Sequence, residues 1–529
     1  MKIAIEGCAH GELEKIYGCI RLLQKRRSFE LDLLICCGDF QATRNTDDLS
    51  GMAVPDRYKH MRTFYKYYSG ELLAPVLTVF IGGNHEASSH MQELPYGGWV
   101  APRIYYMGRS GVVRFGNLRI GGLSGIYKGH DYDRGLHECP PYNPASIRSV
   151  FHVRSLDVFR LSQVKEKVHV MLSHDWPNGI TDYGNKNALL RMKPFFRQDI
   201  ESNRQGSNPA MELLSLLKPD YWFSAHLHVK FAAVVPHADG TSTRFLALDK
   251  CLPRRMHLQV LTLPEQLDGD KLLKYDPEWL AVLKQTNHLL SVTNTNCYLP
   301  GPGGNERFNF TPTDEEKQEV KTIMTSLTNS PVKEIKLEIF TRNVPVYNPR
   351  QARGTQRGPV INPQTVKLCE ALSIDDPVQV IMGRTGREML PPWDDNRAGP
   401  SSSFEPVAGP STPVVSSTPN RSLSLILPAP VQPSETETIV IDTTPRSSGL
   451  FEEVAGQREI NTPCTQSNAR SEPAASYVER PKDSEESGNS SVVSTPQVSG
   501  RRTFKRRNEA FYTTHDQHGE LGGSMDSPF

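Results

Sequence analysis

Along residues 1 to about 262, short apolar runs alternate with turn signals and with polar or helical stretches: "KIAIEG", "LDLLICCGD", "PVLTVFIGGNHE", "VHVMLSHDWP", "YWFSAHLH", "RFLALDKC" and "LQVLTL". Several of these runs are apolar at every position rather than at every second one. Strands covered on both faces have that pattern, so the spacing predicts a layered sheet core. "VVRFGNLRIGGLSGIY" reads as two strands about Gly116-Asn117, a hairpin. The predicted fold class is α/β to α+β, a layered β-sandwich core flanked by helices.

The pattern changes twice further on. From 263 to 390 it becomes mostly helical, and a smaller accessory domain is expected there. "TPTDEEKQEVKTIM" carries a capping box with Thr313 as N-cap and Glu316 three residues later, and "NPQTVKLCEALSI" offers a second helix start. "PVKEIKLEIFTRNVPVYN" between them reads as a strand or an extended connection. From Pro391 to the end the chain is rich in Ser, Thr, Pro and Glu, a composition too poor in apolar area to offset chain entropy; 391–529 is expected to be disordered. A basic cluster "RRTFKRR" at 501–507 reads as a nuclear-import signal or as a solvated charge run.

Composition narrows the function classes. Sixty basic against fifty-nine acidic residues leave a formal charge of +1, so no global field draws the 529-residue chain to nucleic acid, and any basic surface is regional. Nine cysteines, an odd number without framework spacing, point to a reducing compartment. The chain enters a strand at once, and no run of about 18 apolar residues occurs, so a soluble intracellular protein without membrane contact is expected.

The candidate chemistry lies where the apolar runs end. The first ends in Cys8-x-His10, the second in Gly38-Asp39, and the third in Gly83-Asn84-His85-Glu86. "VHVMLSHD" supplies His174, and "YWFSAHLH" supplies His226 and His228. In a layered sheet, residues just past the carboxyl ends of strands converge on one edge. Singly, each has a plain reading as a turn, a loop or a satisfied histidine. Five such groups after five apolar runs, in order, point instead to a metal site. The donor count fits two cations, with Asp39 able to bridge, and paired cations suit phosphoester hydrolysis. A serine-nucleophile hydrolase is the competing design, and the chain has no G-x-S-x-G elbow.

This series resembles the calcineurin-like metallophosphoesterase signature and spans almost all of the first 230 residues. That family usually carries Asp-x-His first and Gly-His-x-His last, where this chain has Cys8-x-His10 and Ala225-His226-x-His228. The first departure, with "GIYKGHDYDRG" and "HECPPYNPASIRSVFHVR" downstream, resembles the branch of the family that debranches RNA lariats. The resemblance implies that Cys8, His10, Asp39 and His228 surround one metal and Asp39, Asn84, His174 and His226 the other. It implies His85 as general acid, held by a neighbouring acidic group. The substrate it implies is the 2′,5′-phosphodiester of branched (lariat) intron RNA.

On softness, a thiolate at Cys8 favours Zn2+ or Fe2+, whereas the Asn, Asp and His set suits Fe2+ or Mn2+. Zn2+ and Fe2+ are therefore expected, with Mn2+ as substitute. A Cys8 that stands beside its pocket without binding is the other reading.

The stretch 126–151 is long for a loop and rich in aromatic and basic residues: Tyr127, Lys128, His130, Tyr132, Arg134, His137, Tyr142 and Arg148. Rings can stack on splayed bases while cations take phosphates, which favours single-stranded RNA as ligand; the plain alternative is a surface loop packed on itself. Two other functions remain open, a general metal-dependent nuclease and a non-catalytic RNA-binding module on the same scaffold. The tail is expected to recruit splicing or RNA-turnover proteins, and the expected location is the nucleus with shuttling to the cytoplasm.

Overall fold

A computed structural model describes residues 1–328, 334–336, 339–350 and 354–393. The tail from 394 onward, with the basic cluster at 501–507, lies outside the described residues, as does part of the extended connection near 331–338.

Among the described residues, thirteen strands build two sheets. In chain order they are β1 (Lys2–Glu6), β2 (Leu33–Cys36), β3 (Thr78–Phe80), β4 (Gly98–Ala101), β5 (Ile104–Tyr106), β6 (Ser110–Phe115) and β7 (Leu118–Leu123). There follow β8 (Val170–Ser173), β9 (Tyr221–Ser224), β10 (Phe231–Pro236), β11 (Ser242–Ala247), β12 (Leu258–Thr262) and β13 (Leu273–Tyr275). The first sheet has the order β12-β1-β2-β3-β5-β4 and the second β10-β11-β9-β8-β7-β6-β13. Each has a parallel centre, β1-β2-β3-β5 in one and β7-β8-β9-β11 in the other.

The continuous apolar runs are explained by what lies on either side of each strand. Ile3, Ile5, Leu33, Ile35 and Val79 point inward and meet Phe115, Ile120, Val170, Leu172 and Phe223 of the facing sheet. Their neighbours Ala4, Leu34, Cys36 and Phe80 point outward onto the helix Leu13–Arg27, which buries Leu13, Ile16, Tyr17 and Ile20. On the far side of the second sheet, Met171, Trp222 and Phe245 pack under helices that contribute Leu161, Leu213, Leu214 and Leu280. A strand in such a sandwich has no wet face, so period-two alternation is lost. The hairpin forms as its sequence predicts, β6 pairing antiparallel with β7 across Gly116, where φ is +58°.

The change of pattern at 262/263 does not coincide with a break in packing. Strand β13 pairs with β6 at the edge of the second sheet, and Trp279, Leu280, Val320, Met324, Leu368 and Leu372 belong to the same apolar cluster as Trp222 and Phe245. The helices expected there form with their caps. Thr313 Oγ1 accepts from Glu316 N at 3.2 Å while Glu316 Oε2 accepts from Thr313 N at 2.9 Å, and Asn362 caps Pro363–Leu372. No named strand is present among the described residues of the connection between these helices; Glu334 makes an isolated bridge to Lys274. No helix among the described residues is long and apolar enough to cross a membrane.

A candidate dinuclear metal centre

The ends of β1, β2, β3, β8 and β9 deliver their polar residues to one edge, and the backbone there is held in unusual conformations. His10 (φ +46°), Asp39 (φ +46°), His226 (φ +63°) and His228 (φ +50°) all lie in the left-handed region, which L-residues adopt at a cost of about 1–3 kcal/mol each. The glycines make room for them. A Cβ at Gly38 would lie 2.3 Å from His174 Nδ1, and one at Gly83 would lie 2.3 Å from Asp39 Oδ1 and 2.7 Å from His174 Nε2.

Asp39 is the hub. It is 1% exposed, and its Oδ1 lies 3.2 Å from His174 Nε2 while its Oδ2 lies 3.6 Å from His10 Nε2 and 3.1 Å from His85 Nδ1. Burial opposes its charge, but the His174 and His85 rings outweigh that and hold the carboxyl well below its ordinary range. Two groups of donors adjoin this hub. Cys8, His10, Asp39 and His228 each present a ligand atom within 4.8 Å of the others, and His10 Nε2 faces His228 Nε2 at 3.3 Å. On the other side, His174 donates from Nδ1 to the Cys37 carbonyl at 2.7 Å, which turns the Nε2 lone pair inward. His174 Nε2 and Asn84 Oδ1 are both buried without a hydrogen-bond partner. The His226 ring lies 4.9 Å from that of His174, and its backbone N–H donates to Cys8 Sγ at 3.1 Å.

Buried acceptors are rarely left unpaired, and a cation between Asn84 Oδ1, His174 Nε2 and Asp39 would satisfy both. The facing Nε2 atoms of His10 and His228, with a thiol and a carboxylate beside them, form a second set of converging donors. The residues therefore fit two divalent cations.

His85 sits at the rim, 21% exposed, with its N–H donating to Asp39 Oδ1 at 2.8 Å. The next residue has a role that its place in the motif does not reveal. Glu86 is buried and accepts from the N–H groups of Phe40 (2.6 Å), Gln41 (2.8 Å) and Gly83 (3.1 Å), so it ties the loop after β2 to the loop after β3. Burial, and then the charge of Asp39, push its carboxyl up to about 7.

The 126–151 stretch is brought to this edge but is more built than a free loop. Gly125 N donates to Gly82 O at 2.9 Å, and Tyr127 N donates to the carboxylate of Asp175, the neighbour of His174, at 3.3 Å. Short helices form at Gly129–Tyr132 and Ser146–Ser149. Buried polar groups pin it from below: Asp131 to His152 at 2.6 Å, Arg154 to Glu138, and Arg109 to Asp157 and to the carbonyls of Val150 and His152. The C-terminal region braces it too, through Leu136 N to Ser291 O and Tyr142 N to Gln356 Oε1.

Of the expected contact residues, His130 is exposed, and Tyr127, Lys128, Tyr132, Arg134, His137 and Arg148 are half-buried. Tyr142 differs from expectation. It is 7% exposed and its hydroxyl donates to Gln92 Oε1 at 2.6 Å, so it holds the loop down and offers no ring face to a base.

The calcineurin-like phosphoesterase family model matches residues 1–230, and the model of the lariat debranching enzyme C-terminal domain matches 240–377. The lariat debranching enzyme of Drosophila melanogaster is 45% identical over 98% of this chain and 100% of its own length. That of Drosophila pseudoobscura pseudoobscura is 49% identical over 81% of this chain and 87% of its own. The human lariat debranching enzyme is 50% identical over 71% of this chain and 70% of its own.

Proposed function

The chain belongs to the lariat debranching enzyme family, and from that premise we propose how its own residues perform metal-dependent hydrolysis of the 2′,5′-phosphodiester at the branch of intron lariat RNA. The observation that carries the reading is the donor set Cys8, His10, Asp39 and His228, beside which Asn84 Oδ1 is buried without a hydrogen-bond partner and His174 Nε2 lies 3.2 Å from the shared carboxylate of Asp39.

Cys8, His10, Asp39 and His228 would hold one cation, and Asp39, Asn84, His174 and His226 the other. Divalent cations held by these residues would activate a water and neutralise charge on the phosphate. The chain does the rest. Asp39 and the left-handed turns fix the spacing of the two sets, and Glu86 locks together the loops that carry Asp39 and Asn84. His85, with Nδ1 held by Asp39, delivers a proton from its ring to the departing 2′-oxygen, leaving a linear RNA with a 5′-phosphate. Tyr127 and Lys128, placed beside Asp175 and His174, are positioned to meet the nucleotides at the branch.

The sulfur of Cys8 in the first set supports Zn2+ or Fe2+ there, and the harder Asn, Asp and His set supports Fe2+ or Mn2+ in the second. The basic cluster at 501–507 and the Ser/Thr/Pro-rich tail support nuclear entry and recruitment of RNA-processing proteins. The test is hydrolysis of a synthetic 2′,5′-branched RNA beside its linear 3′,5′ isomer. Cleavage of the branch alone is expected, and equal cleavage of both would make the enzyme a general nuclease.

A further inference from the structure

The pocket formed by Cys8, His10 and His228 is flanked by positive charge that the debranching chemistry itself does not use. The segment 249–256 turns back on itself, with Asp249 N donating to Met256 O and Arg255 N to Leu252 O. Lys250 lies in backbone register with Cys8, and Cys251 N donates to the Cys8 carbonyl at 3.0 Å. Arg255 anchors the turn to the site: its Nε pairs with Asp249 Oδ2 at 2.7 Å and its Nη2 donates to the carbonyl oxygen of His228 at 3.1 Å.

Three further cations project from the same region. Lys250 and Lys193 are half-buried and Arg254 is exposed, with Arg254 in the left-handed conformation at φ +61°. None of the three makes a salt bridge among the described residues, whereas Asp249 is occupied by Arg255. The Lys193 ammonium is held below its ordinary value, by burial first and then by the charge of Arg255. Beside these cations stand exposed apolar groups: Leu252 (42%), Met256 (40%) and Phe195 (41%), with Lys193 Nζ 5.8 Å from the Phe195 ring. Crowded cations without acidic partners cost the fold free energy through mutual repulsion, and a polyanion would relieve it.

We propose that Lys193, Lys250 and Arg254, on the turn that Arg255 anchors to His228, form a platform that binds the phosphates of one RNA arm leaving the branch. Leu252, Met256 and Phe195 offer its bases an apolar floor. The inference rests on the debranching reading and deepens it. A branch point emits three strands, and the 126–151 stretch, anchored at Gly82 and Asp175, serves the side of the site near Asn84 and His174. The platform serves the side near Cys8 and His228, so separate arms have separate tracks. Phosphate contacts of this kind set register and affinity without reading sequence.

The test uses full-length enzyme carrying Lys193→Glu, Arg254→Glu or Lys250→Ala, with Lys250→Arg as the conservative control. Branched RNA with full arms is compared with bis(p-nitrophenyl) phosphate, and binding of a short single-stranded RNA is followed by fluorescence anisotropy. For each lost cation the ratio of kcat/KM on RNA to that on the small diester should fall by about tenfold at low salt, mainly through KM. The slope of log binding constant against log salt should flatten by about 0.7 per charge removed. Lys250→Arg should restore both. An unchanged ratio and slope would overturn the platform, as would equal losses on the two substrates, which would mean that the turn only supports the metal pocket. Failure of the wild-type enzyme on branched RNA would overturn the debranching reading instead, and the anisotropy series would still decide whether these cations bind RNA.

Discussion

His85 Nδ1 lies 3.1 Å from Asp39 Oδ2, and the backbone N–H of His85 donates to Oδ1 of the same carboxylate at 2.8 Å. Asp39 thus holds both the donor sets and the His85 ring, whose Nε2 lies 3.3 Å from Asn84 Nδ2 and is the nitrogen that the proposed general acid would use. His85→Ala should lower turnover on branched RNA about 10²–10⁴-fold, the ordinary range for a general acid, with metal content unchanged. Elemental analysis beside single-turnover rates checks it. A variant that loses metal would make His85 a ligand.

Gly83→Ala should act on the metal centre without unfolding the protein. The added methyl would stand 2.3 Å from Asp39 Oδ1, 2.4 Å from Asp39 N and 2.7 Å from His174 Nε2, so the turn that carries Asp39 must shift and take its donor with it. A displacement of about 1 Å at a reacting centre costs about 10²-fold in rate. Metal content should fall while circular dichroism stays that of the wild type. Wild-type metal content and rate would show that the turn yields without disturbing the donors.

Tyr142→Phe separates loop support from RNA contact. The variant loses the bond to Gln92 Oε1 and should unfold at lower urea, by about 1 kcal/mol, with KM for branched RNA unchanged. Tyr127→Ala, which removes a half-buried ring packed edge-on against Tyr132 at 5.4 Å, should weaken RNA by about 1–3 kcal/mol if it stacks on a base. A KM that responds to Tyr142→Phe and not to Tyr127→Ala would reverse these assignments.

How far the sequence revealed this design differs between its parts. The metal edge was legible because its donors follow continuous apolar runs, and a strand sealed on both faces can place a polar residue only at its end. The capping box at Thr313 and Glu316 was legible because its partners are three residues apart. Tyr142 was misjudged for the opposite reason: aromatic composition does not tell which face of a loop is buried, and its partner Gln92 is far off in sequence. The same distance hides the Arg255 contact with His228 and the braces of the 126–151 stretch, Arg154 with Glu138 and Leu136 with Ser291. Strand β13 is only Leu273–Tyr275, too short to show a period, yet it joins the C-terminal region to the second sheet.

Asp376 gives a pH dependence away from the metals. It caps the helix Pro377–Thr385, accepting from Val378 N at 2.9 Å, and burial raises its carboxyl from 3.8 to about 6 against the opposing pull of that N–H. The folded chain therefore holds a proton that the unfolded chain releases between about pH 4 and 6. Stability falls as pH rises through that window and stays lower above it. Asp376→Asn keeps a capping oxygen without the charge, so it should be about 2–3 kcal/mol more stable than wild type at pH 7 and nearly equal at pH 4. Urea unfolding at the two pH values checks this, and a destabilised variant at pH 7 would mean that the ionised carboxylate is needed.

If two cations, held by the two donor sets that share Asp39, are required to open the 2′,5′ branch, cleavage must follow the filling of both. The most direct measurement is a titration of metal-stripped enzyme with Mn2+, following both bound metal and single-turnover cleavage of a synthetic branched RNA. Cleavage is expected to track occupancy of the second equivalent and to be lost in Asn84→Ala with one equivalent still bound. Full cleavage at one equivalent, or an Asn84→Ala enzyme as fast as wild type, would contradict it.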